Sequence, residues 1–167
     1  HWAYRGDSRF YIYNPNKPPG TWPGTRLEQI TKDHSIVFSE RIHNQGKTLW
    51  DFYQEGNIKY KREARTQKRG RMITCYLDGT NEGLIEEELR ILERKREKDE
   101  IYILCSDGLS NSLTDEEIEV CILKEEEIIQ KEEKGKRIRD RLLEAALKSP
   151  SLKDNVTLMI IQAEEKA

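Results

Sequence analysis

Asp107 and Asp154 are the residues of this chain whose type and setting best suit chemistry. Asp107 follows the run Ile101-Tyr102-Ile103-Leu104-Cys105-Ser106 and precedes Gly108. The run opens short and apolar, as a buried strand does. The acid therefore stands where a strand leaves the core. Gly108 predicts a sharp turn there, because glycine takes positive φ at no steric cost. A carboxylate at such a corner suits a hard divalent cation, which prefers oxygen ligands. Taken alone, Ser-Asp-Gly reads as an ordinary turn. Asp154 shifts that balance. It stands in Lys153-Asp154-Asn155, directly before Val156-Thr157-Leu158-Met159-Ile160-Ile161, a second buried strand by composition. If the two strands are antiparallel neighbours, both carboxylates fall at one end of a sheet, an arrangement that suits a metal site. The other chemically suggestive stretch is basic. Lys59, Lys61, Arg62, Arg65, Lys68, Arg69 and Arg71 are accompanied by a single acid, Glu63. Such a run fits a phosphorylated or acidic partner, although a solvated face is its commoner origin.

The elements that must position these residues follow from patterning. Residues 1–13 predict a β-hairpin, with Trp2-Ala3-Tyr4 and Phe10-Tyr11-Ile12-Tyr13 as strands and Gly6-Asp7-Ser8 at the tip. Residues 14–25 hold four of the five prolines and predict a surface loop. Leu27 to Thr31 alternates as a short strand. Arg41 to Gly46 reads as a short helix with a glycine stop, and residues 71–77 fit helix or strand equally. Glu82 to Glu100 is highly charged and reads as a connecting strand and an exposed turn. Thr114-Asp115-Glu116-Glu117 is a capping box, Thr114 capping and Glu117 reaching back. The helix it opens carries Ile118, Cys121 and Ile122 on one face and is expected to run to about Gln130. Lys134-Gly135-Lys136 is expected to interrupt the pattern. A second helix then aligns Ile138, Leu142, Ala145 and Ala146, and stops at Ser149-Pro150. The charge run from Lys124 to Arg139 reads as a solvated face and turn.

Composition bounds the function. The chain has 167 residues, 36% of them charged, enough length for one domain with a core. Acids number 31 and bases 29, so the net charge of −2 argues against a general nucleic-acid binder. No apolar run approaches the length of a membrane span. Cys75, Cys105 and Cys121 form no C-x-x-C pair and read as reduced thiols of a cytoplasmic protein.

Four motifs stand in order: Gly6-Asp7-Ser8-Arg9, Thr31-Lys32-Asp33-His34-Ser35, Leu104-Cys105-Ser106-Asp107-Gly108-Leu109 and Asp154-Asn155-Val156-Thr157. In this order they resemble the PP2C-type (PPM) metal-dependent serine/threonine protein phosphatases, the bacterial members most nearly. The resemblance runs from Trp2 to Ile161 and thins between Val37 and Arg71. It implies an α+β fold, an α-β-β-α sandwich of two antiparallel sheets flanked by helices. It also implies a two-metal centre of Mn²⁺ or Mg²⁺. The ions generate and aim a hydroxide that attacks phosphorus in line, with no covalent enzyme intermediate, the general logic of divalent-ion catalysis. Oxygen ligands accept either ion. By the resemblance, Asp107 and Asp154 ligate that centre, and Asp7 lies nearby, where many members hold a third, weaker metal. Asn155 and Thr157 match supports of the last strand. Arg9 and His34 read as structural, His43 has no matched role, and Cys105 reads as packing.

The resemblance also marks a departure. The family's phosphate-binding arginine, its early acid and its metal-bridging Asp-Gly are not found in this sequence. The expectation is therefore that residues 1–167 are the C-terminal portion of a single PP2C-like domain lacking its N-terminal part. Residues 36–80 then correspond to the variable flap, where Arg65, Lys68 and Arg69 are candidate substrate-docking residues. The implied function is hydrolysis of phosphoserine and phosphothreonine, with phosphoproteins of a cognate serine/threonine kinase as partners. This chain alone is expected to be inactive. The alternative is a catalytically inactive regulatory or binding module on the same fold. A Mg²⁺-binding receiver-like domain is a further option, but the last strand does not suit regular βα alternation.

Overall fold

Four short strands build the frame of the described structure. In this computed structural model, which describes residues 1–4, 6–20, 25–35, 93–125, 131–151 and 154–162, the strands are Arg9–Tyr13 (β1), Leu27–Gln29 (β2), Ile101–Cys105 (β3) and Leu158–Gln162 (β4). They form an antiparallel sheet in the order β2-β1-β3-β4. The helices are Asp107–Ser112 (α1), Asp115–Leu123 (α2) and Lys131–Lys148 (α3). The fold is thus α+β. Contacts divide the chain into two compact units, the first His1–Ser8 with Thr31–Arg96, the second Arg9–Ile30 with Glu97–Ala167. Every strand and helix named above belongs to the second.

One face of the sheet meets the helices. Tyr11, Tyr13, Leu27, Ile101, Ile103 and Cys105 pack there with Leu109, Leu113, Ile118, Cys121, Ile122, Ile138, Leu142 and Ala146. Val156, Leu158 and Ile160 join the same cluster from β4 and the segment leading into it. Burial of each large aliphatic side chain contributes about 1.5–3 kcal/mol, which makes this cluster the main stabilising feature of the unit.

Several buried charged groups of the unit have specific partners. The Arg9 guanidinium donates to the Tyr11 hydroxyl at 3.0 Å, and that hydroxyl donates to Asp115 at 3.1 Å. Arg9 and Asp115 lie 3.8 Å apart with both side chains buried, so β1 is tied to the start of α2. Arg9 is structural, as expected. Further along α2, Glu119 accepts the Gly20 N–H at 2.8 Å and anchors the proline-rich loop. Glu125, just past α2, takes Arg137 and Arg141 of α3.

Several expectations hold in detail. Residues 14–20 and 25–26 make a loop closed by Asn14 N–H to Arg26 C=O, 2.8 Å, and Arg26 N–H to Pro18 C=O, 2.9 Å. Thr114 and Glu117 form both halves of the capping box, at 3.3 and 2.7 Å. α3 stops before Ser149-Pro150, where the Ser149 hydroxyl donates to Ser112 C=O at 2.7 Å.

Others are corrected. No hairpin forms over residues 1–13. Both edges of β1 are taken, one by β2 and one by β3, and Trp2 makes only an isolated bridge. The short strand ends at Gln29 and does not reach Thr31. Residues 93–100 hold the expected turn, at Lys98-Asp99, with no strand among them, and residues 82–92 of the expected connecting strand lie outside the described residues. α2 ends at Leu123, followed by a turn, well before Gln130. Lys134-Gly135-Lys136 does not break α3, because Gly135 is packed against Gln162 and Ile160 of β4. The expected helix at 41–46, the 71–77 segment, the 36–80 flap and Cys75 lie outside the described residues.

Candidate metal centre

The corner where β3 ends is built by Ser106. Its N–H donates to Thr157 C=O at 2.9 Å. Its hydroxyl accepts the Thr157 N–H at 3.0 Å and donates to Asn155 C=O at 3.3 Å. Three hydrogen bonds from one residue thus pin the segment leading into β4 against the end of β3. Gly108 completes the fit. A Cβ at Gly108 would lie 2.1 Å from the Asn155 carbonyl oxygen, closer than any side chain tolerates. This corrects the expected turn. Asp107 and Gly108 begin α1, and positive φ among the described glycines is confined to Gly6 and Gly20. Gly108 is needed for a close approach of backbone, not for a left-handed conformation.

β3 and β4 are antiparallel neighbours with Cys105 opposite Leu158. Asp107 leaves the end of β3 and Asp154 precedes the start of β4, so both carboxylates stand at the same end of the strand pair. Asp107 is half-buried and Asp154 exposed. Each is held by one oxygen. Asn111 Nδ2 donates to Asp107 Oδ2 at 3.1 Å, and the Asn155 N–H donates to Asp154 Oδ1 at 2.7 Å. Both donors are neutral, and neither acid is ion-paired among the described residues. The buried acids Glu28, Asp115 and Glu125 contrast with this, since each faces a lysine or arginine. Among the described residues, Oδ1 of Asp107 and Oδ2 of Asp154 accept no hydrogen bond.

The donor set fits a hard divalent cation in kind. Mg²⁺ in particular is commonly held by one or two carboxylates, with water and phosphate oxygens filling the remaining positions. In number the set is small, as no group of three or more His, Cys, Asp or Glu able to hold a metal occurs among the described residues.

Asp7 belongs to the first unit. It follows Gly6, whose φ of 85° explains the glycine. The Gly6 N–H donates to His34 Nδ1 at 3.2 Å, and the His34 N–H donates to Gly6 C=O at 3.0 Å. The His34 ring stacks on Tyr4 with centroids 5.2 Å apart. His34 is the clasp of this turn, as its reading as structural anticipated. Arg65, Lys68, Arg69 and His43 lie outside the described residues.

Cysteine chemistry finds no support among the described thiols. Cys105 is buried in the core, as read from its neighbours. Burial is the first cause that pushes the Cys121 thiol up from its ordinary value, with Lys124 and Arg141 opposing. A protonated thiol is a poor nucleophile.

Sequence reading missed three contributors to this corner and its support: the Ser106 strut, the Asn111 donor and Asp115 as anchor of α2. Asn111 was findable. Its i,i+4 spacing from Asp107 signals contact once a helix is placed there, but a turn was expected.

No protein-family model matches the sequence, and no curated protein matches it. Solved structures do. The chain is similar to the serine/threonine phosphatase Stp1 of Staphylococcus aureus, with 25% identity, a TM-score of 0.56, and coverage of 98% of this chain and 51% of that one. It is similar to the phosphatase PstP solved with two manganese ions, at 25% identity and a TM-score of 0.54, covering 95% of this chain and 50% of that one. It is also similar to the PPM phosphatase MsPP of Mycobacterium smegmatis, solved with cacodylate, at 19% identity and a TM-score of 0.56, covering 97% and 55%. The fold is that of the bacterial PPM serine/threonine phosphatases. The chain spans about half the length of each PPM structure it matches. Among the described residues no helix is long and apolar enough to cross a membrane.

Proposed function

We propose that the protein acts in metal-dependent hydrolysis of phosphoserine and phosphothreonine in proteins, and that Asp107 and Asp154 are carboxylates it gives to the metal centre. The observation that carries this reading is their shared placement. Both stand at one end of the β3–β4 pair, without an ion-pair partner among the described residues, each with one oxygen held by a neutral donor. The fold adds support, as does the pair of manganese ions in the PstP structure.

A divalent ion held there, Mn²⁺ or Mg²⁺, would lower the pKa of water and offset charge on phosphoryl oxygens. The chain's own part is to hold ligands in place. Ser106 fixes the segment that bears Asp154 against the corner that bears Asp107. Asp7 is the candidate for a third, weaker ion. Arg65, Lys68 and Arg69 are candidates for docking acidic or phosphorylated substrates of a cognate serine/threonine kinase, in a flap spanning residues 36–80. Residues 1–167 then correspond to the C-terminal portion of one PPM domain, and its setting is cytoplasmic.

The test is Mn²⁺-dependent release of phosphate from a phosphothreonine peptide, measured on the product of the complete open reading frame that contains these residues. Asp107→Asn and Asp154→Asn are expected to abolish it at saturating Mn²⁺ while leaving the far-UV circular dichroism unchanged. An amide fills the same space but supplies no charge. Near-normal turnover in either variant removes that residue from the site.

A second reading, a catalytically inactive binding module, draws on the small donor set among the described residues. It predicts Mn²⁺ binding by the same product without turnover. For the 167 residues alone we expect weak binding of an ion and no useful hydrolysis of p-nitrophenyl phosphate, since two carboxylates do not hold two like-charged ions together. Robust turnover by a monodisperse sample of that chain would overturn this expectation.

A further inference from the structure

The side chain that holds Asp107 is a neutral amide outside the candidate ligand set. Asn111 lies in α1 one helical turn beyond Asp107, and its amide donates to Asp107 Oδ2 at 3.1 Å. We infer that Asn111 is the positioning residue of the centre, acting through Asp107 to aim its free oxygen; the inference rests on the metal reading proposed above.

A carboxylate on the first residue of a helix has two side-chain torsions to settle. One hydrogen bond to Oδ2 settles both and leaves Oδ1 in a defined direction. The chemistry of the donor matters as much as its position. An arginine or lysine would cancel the charge that a cation needs, whereas a neutral amide orients the carboxylate without neutralising it. Two buried acids of this unit are paired differently. Asp115 and Glu125 face guanidinium groups, which ties down helices and takes their charge out of play. Groups that orient metal ligands in this way typically affect metal affinity by about 10–100-fold.

A competing role is local. An Asp–Asn pair at i,i+4 also staples a short helix, by about 0.2–0.5 kcal/mol. The experiment separates the two. On the product of the complete open reading frame, Mn²⁺ affinity is read from the free-ion electron paramagnetic resonance signal, and stability from urea unfolding of the metal-free protein. Asn111→Ala is expected to weaken Mn²⁺ binding by about tenfold with the metal-free midpoint nearly unchanged. Asn111→Gln retains an amide donor and is expected to stay within about threefold of wild type. Asp107→Asn serves as the control for the underlying reading. If Asp107→Asn leaves Mn²⁺ binding intact, or wild type binds none, the metal reading itself fails and the inference with it. If Asp107→Asn loses binding but Asn111→Ala does not, Asn111 positions nothing. A fall in the metal-free midpoint with unchanged affinity assigns it to the helix staple and overturns the inference.

Discussion

Asp115 illustrates how a single carboxylate can serve structure and not chemistry. It sits at the start of α2, buried, 3.8 Å from Arg9 and hydrogen-bonded by the Tyr11 hydroxyl. Removing one partner of a buried pair strands the other charge, which costs far more than the pair contributes in place. Asp115→Ala is therefore expected to lower stability by about 3–5 kcal/mol. Tyr11→Phe removes one hydroxyl and is expected to cost about 1–3 kcal/mol. Urea unfolding measures both. Equal, small losses would mean that the pair is solvated in solution. At this scale the sequence points to candidate carboxylates but not to the residues that support them. Asp107 and Asp154 stand out because an acid beside an apolar run is unusual. Ser106, Asn111 and Asp115 are common polar residues, and their roles come from partners folded against them. Ser106 meets Asn155 from 49 positions away, and Tyr11 meets Asp115 from 104.

Two glycines show the same limit for elements. Both were read as local signals, Gly108 as a turn and Gly135 as a break. Both instead sit in helices, where their lack of a side chain admits a distant segment. They differ in what they admit. At Gly108 the neighbour is backbone, the Asn155 carbonyl 2.1 Å from a would-be Cβ. At Gly135 the closest atom, at 2.6 Å, is the end of the flexible Gln162 side chain. Gly108→Ala is therefore expected to cost about 1–3 kcal/mol from overpacking. It should also speed hydrogen exchange at Thr157, whose amide bonds Ser106. Gly135→Ala is expected to be neutral or to stabilise by up to about 1 kcal/mol, the helix-propensity gain, as Gln162 swings aside. The reverse order in denaturant melts would show that the corner is slack. Elements with self-contained signals were legible: β3, β4, the capping box and the Ser149-Pro150 stop. The expected hairpin failed because strand partners were sought nearby, while β1 pairs with β3, reached only after the long intervening chain.

For the molecule as a whole, the sheet has a second face. Phe10, Leu104 and Met159 are cross-strand partners there, as are Ile12, Tyr102 and Ile161. Leu104 is 41% exposed, Met159 59% and Ile161 42%. Single exposed apolar residues are ordinary, but adjoining ones favour association. The chain of 167 residues is expected to self-associate as its concentration rises, and Met159→Lys with Ile161→Lys to return it to monomer in sedimentation velocity. A concentration-independent monomer in both forms would mean that the face is covered. The strand order carries one more consequence, in time. β3 sits between β1 and β4, yet the ribosome delivers β4 last of the four. Until then the nascent sheet has an open edge beside Leu104, the kind of surface that binds chaperones or sticks to neighbours.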